Sequence, residues 1–331
     1  MIKNRSEIVF LYDIKDANPN GDPMDENKPR IDEETQVNIV TDVRLKRTIR
    51  DHLYNFLEKE IFVREIEYEL GKIQDAKLRA EDFLEREGAK LDKRRLTLND
   101  MKDIITRNVL KSCIDARLFG ATIPIELSDK DKTALTLTGP VQFRMGRSLH
   151  KVEIVHIKGT GAFASRLGKE QRTFRDEYIL PYALICFYGI VNENASKTTG
   201  LTEEDVNLLL DGMWNGTKNL ISRSKVGQVP RLLIRVIYKE ENYHIGDLDN
   251  KLSLVKNNKE MRDEQIRGVQ DFRIDLSRLF KTMTDSKDKI AKIEFELSPD
   301  LRLVKDEKEV SIREFEDLLV KEFKATRLGF D

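Results

Sequence analysis

Cysteine and histidine are scarce in this sequence of 331 residues, which contains two cysteines and four histidines. Cys113 and Cys186 lie in apolar surroundings, and neither has a cysteine or histidine neighbour at metal-ligand spacing. This pattern is typical of small buried side chains in a reducing compartment, and it argues against structural zinc. No histidine lies in a nucleophile elbow or HExxH motif, and Walker and GxGxxG motifs are missing. We therefore expect no metal and no cofactor.

An excess of positive charge is also missing, because 58 Lys and Arg face 59 Asp and Glu for a net charge of −1. Any phosphate-binding surface must therefore come from local clustering of cations. The longest apolar run, residues 178–191, is too short to span a bilayer, and the N-terminus lacks a signal-peptide pattern. These absences predict a cytoplasmic protein without a membrane segment.

Strands and helices alternate along the chain. A β-type run covers residues 7–14, a helix pattern covers 39–58, and a second helix begins at Thr202 with Asp205 as its capping-box partner. The other predictions are helices over 101–114, 274–284 and 311–324, strands near 137–145, 152–157, 178–191, 231–238 and 290–297, and a charged, mainly helical insertion over 71–100. This order indicates an α+β fold with a ferredoxin-like, RRM-like βαββαβ core, and such cores often present a sheet face or a groove to single-stranded RNA.

The stretch DANPNGDPMDEN, residues 16–27, resembles the start of an EF-hand calcium loop. The twelfth position should be a bidentate glutamate, but Asn27 occupies it, and a strand rather than a helix precedes the loop. We therefore interpret the stretch as a turn in which Asx side chains bond local amides and Gly21 takes unusual backbone angles.

Three basic segments are candidates for binding RNA. The cations that lie one turn apart on the first helix allow two predictions. They face a phosphate backbone, or they form a solvated face that Asp42 and Asp51 balance. The segment ISRSKVGQVPR offers donors for phosphate and ribose, although cations at a helix C-terminus also complement its dipole. QFRMGRSLHK repeats this chemistry on a strand and turn. The candidates are Arg44, Lys46, Arg47, Arg50, Gln142, Arg144, Arg147, Ser148, Arg223, Ser224, Lys225, Gln228 and Arg231.

The loop over residues 158–177 interleaves cations with Phe163 and Phe174. Its candidates are Phe163, Arg166 and Arg172, because aromatic rings stack on bases while cations hold the backbone of a single strand. The alternative is a loop whose phenylalanines fold back onto the core. The pattern is consistent with either a β-hairpin or a mobile loop.

Several motifs in a fixed order resemble the Cas7 family of the RAMP superfamily, the backbone subunits of type I CRISPR surveillance complexes, and are most similar to the subtype I-B and I-C members. They are NPNGDP, PRID, TDVRLKRTIR, ARLFG, GPVQFRMGRSLHKVE, YILPYALICFYGIVN and RSKVGQVPRLL, between residues 7 and 238. The resemblance implies an RRM-like palm, helical finger insertions and a thumb-like β-hairpin. Its implied domains are 1–58 (palm), 59–115 (mainly helical finger), 116–240 (palm with a thumb at about 152–180) and 241–331 (C-terminal palm and finger elements).

The same resemblance implies that copies of the subunit polymerise along a CRISPR RNA and present it for pairing with target DNA. Thr41, Lys46 and Arg50 match the helix that holds the guide backbone, 223–228 matches a second guide-binding loop, and Lys28 and Arg30 bring further positive charge. Implied partners are other copies of the chain and the large, small and guide-end capping subunits.

Catalysis is not expected from this resemblance. Two alternatives remain open: a generic single-strand RNA-binding protein, and a metal-dependent ribonuclease of the related type III backbone kind, in which Asp16 or Asp22 would act.

The sequence predicts that replacing Lys46 and Arg50 together with alanine weakens RNA binding and lowers its salt dependence, since fewer phosphate contacts release fewer counterions. Affinity measured across a salt series tests this, and an unchanged affinity would remove the first helix from the interface.

Overall fold

In the computed structural model, the described residues are 1–69, 71–86, 88–92, 95–128, 131–164 and 172–330, with Arg86, 160–164 and 172–175 described for the backbone only. Among the described residues, no helix is both long and apolar enough to cross a membrane.

The helices begin at capping residues that the sequence marks. Thr41 accepts a hydrogen bond from the Arg44 backbone at the start of the first helix, and Thr202 forms the predicted capping box with Asp205. Within the described ranges the helices are α1 (Asp42–Asn55), α2 (Ala76–Glu81), α3 (Leu98–Ser112), α4 (Ile114–Phe119), α5 (Glu193–Thr199), α6 (Glu203–Lys218), α7 (Ser277–Asp285) and α8 (Ile312–Glu322).

The strands include one that is much longer than the rest, because β15 continues from the central sheet into a hairpin. In the described ranges they are β1 (Ser6–Ala17), β2 (Gly21–Asp22), β3 (Lys28–Pro29), β4 (Ile31–Asp32), β5 (Val37–Val40), β6 (Glu67–Glu69), β7 (Lys72–Ile73), β8 (Glu85–Arg86), β9 (Ala89–Lys90), β10 (Gly120–Glu126), β11 (Lys132–Thr138), β12 (Val141–Phe143), β13 (Gly146–Lys151), β14 (Val155–Ala164), β15 (Arg172–Val191), β16 (Val229–Tyr238), β17 (Ser253–Lys256), β18 (Phe272–Asp275), β19 (Ile290–Leu297), β20 (Leu303–Lys305), β21 (Lys308–Val310) and β22 (Ala325–Arg327).

The central sheet has the order β22-β19-β16-β1-β15-β13-β5-β4, with β12 and β14 also paired to β15. Its four middle strands, β16, β1, β15 and β13, are antiparallel to their neighbours. Helix α1 lies between β1 and β13 in the chain, and α6 lies between β15 and β16. The fold is therefore mixed α+β, as the sequence predicts.

Both faces of this sheet are covered. One face packs against α1 and α6 through Phe10 and Phe187, and the other packs against α7 and α8 through Leu11 and Ile234. Alternate residues of β1 enter the two cores because successive side chains of a strand point to opposite faces. The C-terminal elements thus cover the sheet face that an open RRM-like core would present to RNA.

A third cluster of buried residues stands apart from the two sheet cores. It joins α2, α3 and the hairpin β10–β11, with Phe62, Met101, Ile105 and Ile123 inside. Strand β10 was not predicted from the sequence, because Pro124 weakens its strand pattern. The predicted strand near 137–145 is divided into β11 and β12, and the strand predicted over 152–157 begins at Val155.

The helical prediction for residues 71–100 is wrong over most of its length. Among the described residues of this range, the α-helical parts are α2 and the start of α3, while β7 of the hairpin β6–β7 and the hairpin β8–β9 occupy other parts. Gly71 and Gly88 have φ of +75° and +80°, so each hairpin turns at a residue without a side-chain penalty. Charge density indicated a solvated segment but not its backbone geometry.

Candidate nucleic-acid interface

The C-terminal end of β1 brings three sequence-predicted segments together. Asn18 N donates to Ser224 O at 2.9 Å, which joins the opening loop to the segment after α6. Thr41 donates to Asn20 Oδ1 through both its backbone N and its hydroxyl, each at 2.8 Å. The opening loop therefore connects the N-terminus of α1 to residues 222–228.

The opening loop is a turn built from Asx hydrogen bonds, as the sequence predicts. Asn18 Nδ2 donates to Asn27 O at 2.7 Å, and Asp22 accepts from Met24 N at 3.0 Å. Among the described residues, no group of three or more His, Cys, Asp or Glu side chains is arranged to hold a metal ion.

The prediction for Gly21 is wrong, because its φ is not positive; Asp16, Glu26 and Asn27 take the left-handed angles in this loop instead. A Cβ on Gly21 would lie 2.7 Å from the backbone oxygen of Asn27, so glycine is needed for this close approach.

Most of the predicted cations are neutralised within the chain. Lys46 lies 2.9 Å from Asp42 and bonds Gln142 at 3.2 Å, and Arg47 pairs with Asp51. Further pairs are Lys28–Asp25, Arg30–Asp22, Arg144–Asp247, Arg147–Asp32 and Arg223–Glu177. Lys46 and Arg47 therefore follow the alternative prediction, in which Asp42 and Asp51 balance the cations of the first helix.

Arg50 and Asp115 form a clamp between α1 and the third cluster. Arg50 Nε donates to Asp115 Oδ2 at 2.8 Å, and Asp115 is fully buried. The same carboxylate accepts from the backbone N–H groups of Phe62 and Val63 at 2.7 and 3.1 Å. The Phe119 ring lies under Arg50, 5.1 Å away. Arg50 therefore stabilises the contact of α1 with α4 and with the backbone of residues 62 and 63.

Arg44 and Lys225 differ from the other predicted RNA-binding cations whose side chains are described. Among the described residues, no carboxylate lies within 4.0 Å of either side chain; Arg44 donates to Thr48 at 3.0 Å and Lys225 to Ser224 at 3.1 Å. Burial lowers the pKa of Arg44, and burial together with the charge of Arg44 lowers the pKa of Lys225. Arg44 Nε is buried and has no hydrogen-bond partner there. Two half-buried cations that repel one another favour an anion.

Three other predicted residues are buried. Ser148 accepts from Asn38 N at 2.9 Å and donates to His150 O at 2.6 Å. Arg231 donates to Asp13 at 2.9 Å and to Ser298 at 3.2 Å, while Gln228 is 5% exposed. The structure does not bring these three side chains to a surface.

The strand and turn carrying Gln142, Arg144 and Arg147 do not form one patch with α1. Gln142 alone reaches Lys46, whereas Arg144 lies over the Tyr188 ring beside Asp247 and Asp249. Arg147 faces Asp32, and this pairing lowers the Asp32 pKa.

The predicted hairpin is present: β14 pairs with the outer part of β15 from Val155–Ile179 to Ala164–Arg172. Arg166 lies outside the described residues, and Phe163 and Arg172 are described for the backbone alone.

An aromatic pair that was not predicted from the sequence lies at the base of this hairpin. The His156 and Tyr178 rings stack 4.6 Å apart at 13°, and Lys28 Nζ lies 5.3 Å from the Tyr178 ring. Tyr178 begins an apolar run that reads as core, so its partial exposure has no signal in the sequence. His156 bonds Asp176 at 2.7 Å.

Comparison with known proteins identifies the family. The family model for CRISPR-associated protein Cas7 matches residues 4–277. The chain belongs to the Cas7 family. A CRISPR-associated protein Cas7 from Haloferax volcanii is 36% identical over 304 residues, which cover 87% of this chain and 85% of that protein.

A solved structure described as a CRISPR RNA-guided surveillance complex, pre-nicking, contains a chain with a similar fold. The TM-score is 0.51 at 11% identity, covering 96% of this chain and 100% of that one. The Cas7 match includes the opening loop, α1, the hairpin and residues 222–228, whereas α8 lies beyond it. The predicted resemblance to the Cas7 family is confirmed.

Replacing Arg50 with alanine is expected to lower the free energy of unfolding by about 3–5 kcal/mol, because it leaves the Asp115 carboxylate buried without its cation. Replacing Lys46 with alanine should lower the free energy of unfolding by less than about 1 kcal/mol, because the side chain of its partner Asp42 is partly exposed to water. Denaturant unfolding of the two single variants measures the difference. Equal costs would contradict the clamp, and the Arg50 variant needs a fold check before any RNA-binding measurement.

Proposed function

We propose that this chain is a CRISPR RNA-binding backbone subunit of a type I surveillance complex. The observation that carries the proposal is the Arg44 and Lys225 pair, which lacks a carboxylate partner among the described residues in a chain where other predicted cations have one. A phosphate of the guide supplies the missing negative charge. Family membership and the position of this pair where the opening loop, α1 and residues 222–228 meet support the same function.

The palm that we propose is RRM-like. The order β16-β1-β15-β13 and the helices α1 and α6 on one sheet face match the βαββαβ pattern. Because α7 and α8 cover the opposite face, the guide lies at the end of β1 rather than across the sheet. The hairpin β14–β15 serves as the thumb, and the third cluster serves as the finger.

Several copies of the chain polymerise along the guide and present its bases to target DNA. The remaining partners are the large, small and guide-end capping subunits. We place the assembly in the cytoplasm, where the buried free thiols of Cys113 and Cys186 stay reduced.

The proposed role is non-catalytic. Asp22 is held by Arg30 at 2.7 Å, and Asp16 lies at the exposed end of β1. We expect the assembled complex to leave a complementary RNA intact in the presence of magnesium, because among the described residues neither aspartate belongs to a group of side chains that could hold a metal ion. Gel analysis of the labelled RNA measures this. Regularly spaced cuts that disappear when Asp16 or Asp22 is replaced with asparagine would establish the ribonuclease alternative.

Replacing Arg44 and Lys225 together with glutamine is expected to weaken RNA binding for every sequence. It should also reduce the slope of log affinity against log salt by about 0.7, since the pair holds one phosphate and each lost phosphate contact on a single strand contributes about 0.7. Fluorescence anisotropy with a guide-length RNA across a salt series measures both effects.

The matched control replaces Arg278 and Lys281 with glutamine. These two cations are exposed on α7, on the far side of the sheet, and give the same change in net charge. An equal loss of affinity in both double variants would mean that net charge, rather than the Arg44 and Lys225 site, holds the RNA.

A further inference from the structure

Arg223 lies in the same turn as Lys225, but a carboxylate of the hairpin holds it. The turn is closed by Lys225 N, which donates to Ser222 O at 3.1 Å. Arg223 Nη2 donates to Glu177 Oε2 at 2.9 Å, and Glu177 lies on β15 at the base of the hairpin. An RNA phosphate that is bound by Lys225 therefore lies close to a cation that already has an anionic partner.

This ion pair is open to water and to a ligand. It lines a cleft of about 290 Å³ that is formed by the opening loop, residues 176–178 and residues 222–224. The Arg223 side chain is 58% exposed, and the Glu177 side chain is 24% exposed. A guanidinium carries five N–H donors, and among the described residues Glu177 is the one hydrogen-bond partner of the Arg223 side chain. Further donors of Arg223 are therefore available to a second anion.

The pair is also weak enough to be exchanged. Exposed ion pairs contribute little to stability, because water and salt screen them. The pair of Arg50 with Asp115 differs, since Asp115 is fully buried and also accepts from two backbone N–H groups. Among the described residues Glu177 has no such additional donors, so it loses one hydrogen bond when Arg223 leaves. An RNA phosphate offers the same guanidinium a charged partner that matches its planar fork.

Other contacts keep Glu177 beside the turn. The hydroxyl of the adjacent Tyr178 donates to Glu26 Oε2 at 2.8 Å, and Lys28 Nζ lies 5.3 Å from the Tyr178 ring. These contacts join the base of the hairpin to the opening loop without using Arg223. The fold thus holds the Glu177 carboxylate in a position where it competes with an anion that approaches Arg223.

We infer that Glu177 is an internal competitor of the RNA. In the RNA-free subunit its carboxylate occupies the place of a phosphate at Arg223, and binding of the strand displaces it. The inference rests on the proposed function, because the guide supplies the competing phosphate. The competition weakens binding equally for every RNA sequence, since phosphates carry no base identity.

This contact disfavours small anions relative to a nucleic-acid strand. A strand that is already anchored at Arg44 and Lys225 presents its next phosphate to Arg223 at a high local concentration, whereas a free anion does not. Glu177 therefore makes the subunit bind RNA less tightly than its cations allow, and it reserves Arg223 for a strand that is bound beside it.

Replacing Glu177 with glutamine tests the competition, because the amide keeps the size of the side chain and removes its charge. We expect the full-length Glu177→Gln protein to bind a guide-length RNA about fivefold more tightly, which is the upper range for an exposed ion pair. In a protein that already carries Arg223→Gln, the same change should alter the affinity less than twofold, since the carboxylate then has no cation to hold. Fluorescence anisotropy of the four proteins at one salt concentration completes this double-mutant cycle.

Asp176→Asn is the matched control. Asp176 directly precedes Glu177, lines the same cleft and carries the same charge, but it bonds His156 at 2.7 Å rather than an arginine. Its replacement should change the RNA affinity less than twofold. Thermal melting verifies that each variant is folded, and if Arg223→Gln is not, the comparison of Glu177→Gln with Asp176→Asn decides the result.

An unchanged affinity in Glu177→Gln, an equal gain in Asp176→Asn, or a gain that persists beside Arg223→Gln would overturn the competition while leaving RNA binding intact. Failure of the wild type to bind RNA would overturn the proposed function as well.

Discussion

The burial of β1 on both sides and both faces is the constraint on which the rest of this structure depends. β15 and β16 pair with its two edges, and its alternate side chains fill two different cores. A strand enclosed in this way offers no surface of its own, and its pairing register is strongly specified because a one-residue slip would exchange the two cores. Only its C-terminal end reaches the outside, and the opening loop emerges there.

Charge pairing determines which cations remain available. The chain has nearly equal numbers of acidic and basic residues, and its carboxylates neutralise many of the cations on α1 and along the sheet edge. A chain with almost no net charge therefore attracts an anion most strongly where cations cluster without such pairing. Arg44 lies on α1, and Lys225 lies on the segment over residues 222–228. The opening loop is hydrogen-bonded to both of these elements and thereby connects them. Burial lowers the pKa of both side chains, and the charge of Arg44 lowers the pKa of Lys225 further. The charged forms are therefore destabilised when no anion is bound.

The C-terminal layer closes the second face of the central sheet. α7 and α8 fill the sheet face that a bare RRM-like core leaves open, and much of this layer lies beyond the region matched by the Cas7 family model. The opening loop, the base of the hairpin and residues 222–224 lie together outside this covered face.

Local chemistry is what the sequence by itself determined. The capping boxes, the periodicity of α1 and α6, the β-type run of β1 and the Asx turn of the opening loop depend on neighbours a few residues away, and each was predictable. Ordered motifs identified the family for the same reason, since they can be read without knowing any contact.

Only the tertiary structure decided which charged side chains are free and which are committed. Arg50 and Arg231 look like Arg44 in the sequence, but Asp115 and Asp13 hold them, and these partners are 65 and 218 residues away. Likewise, the cleft that is lined by Asn18, Tyr178 and Ser224 forms only where three segments that are distant in the sequence meet. Residues that distant meet only when the sheet has formed, so the pattern along the chain carries no local signal of their pairing.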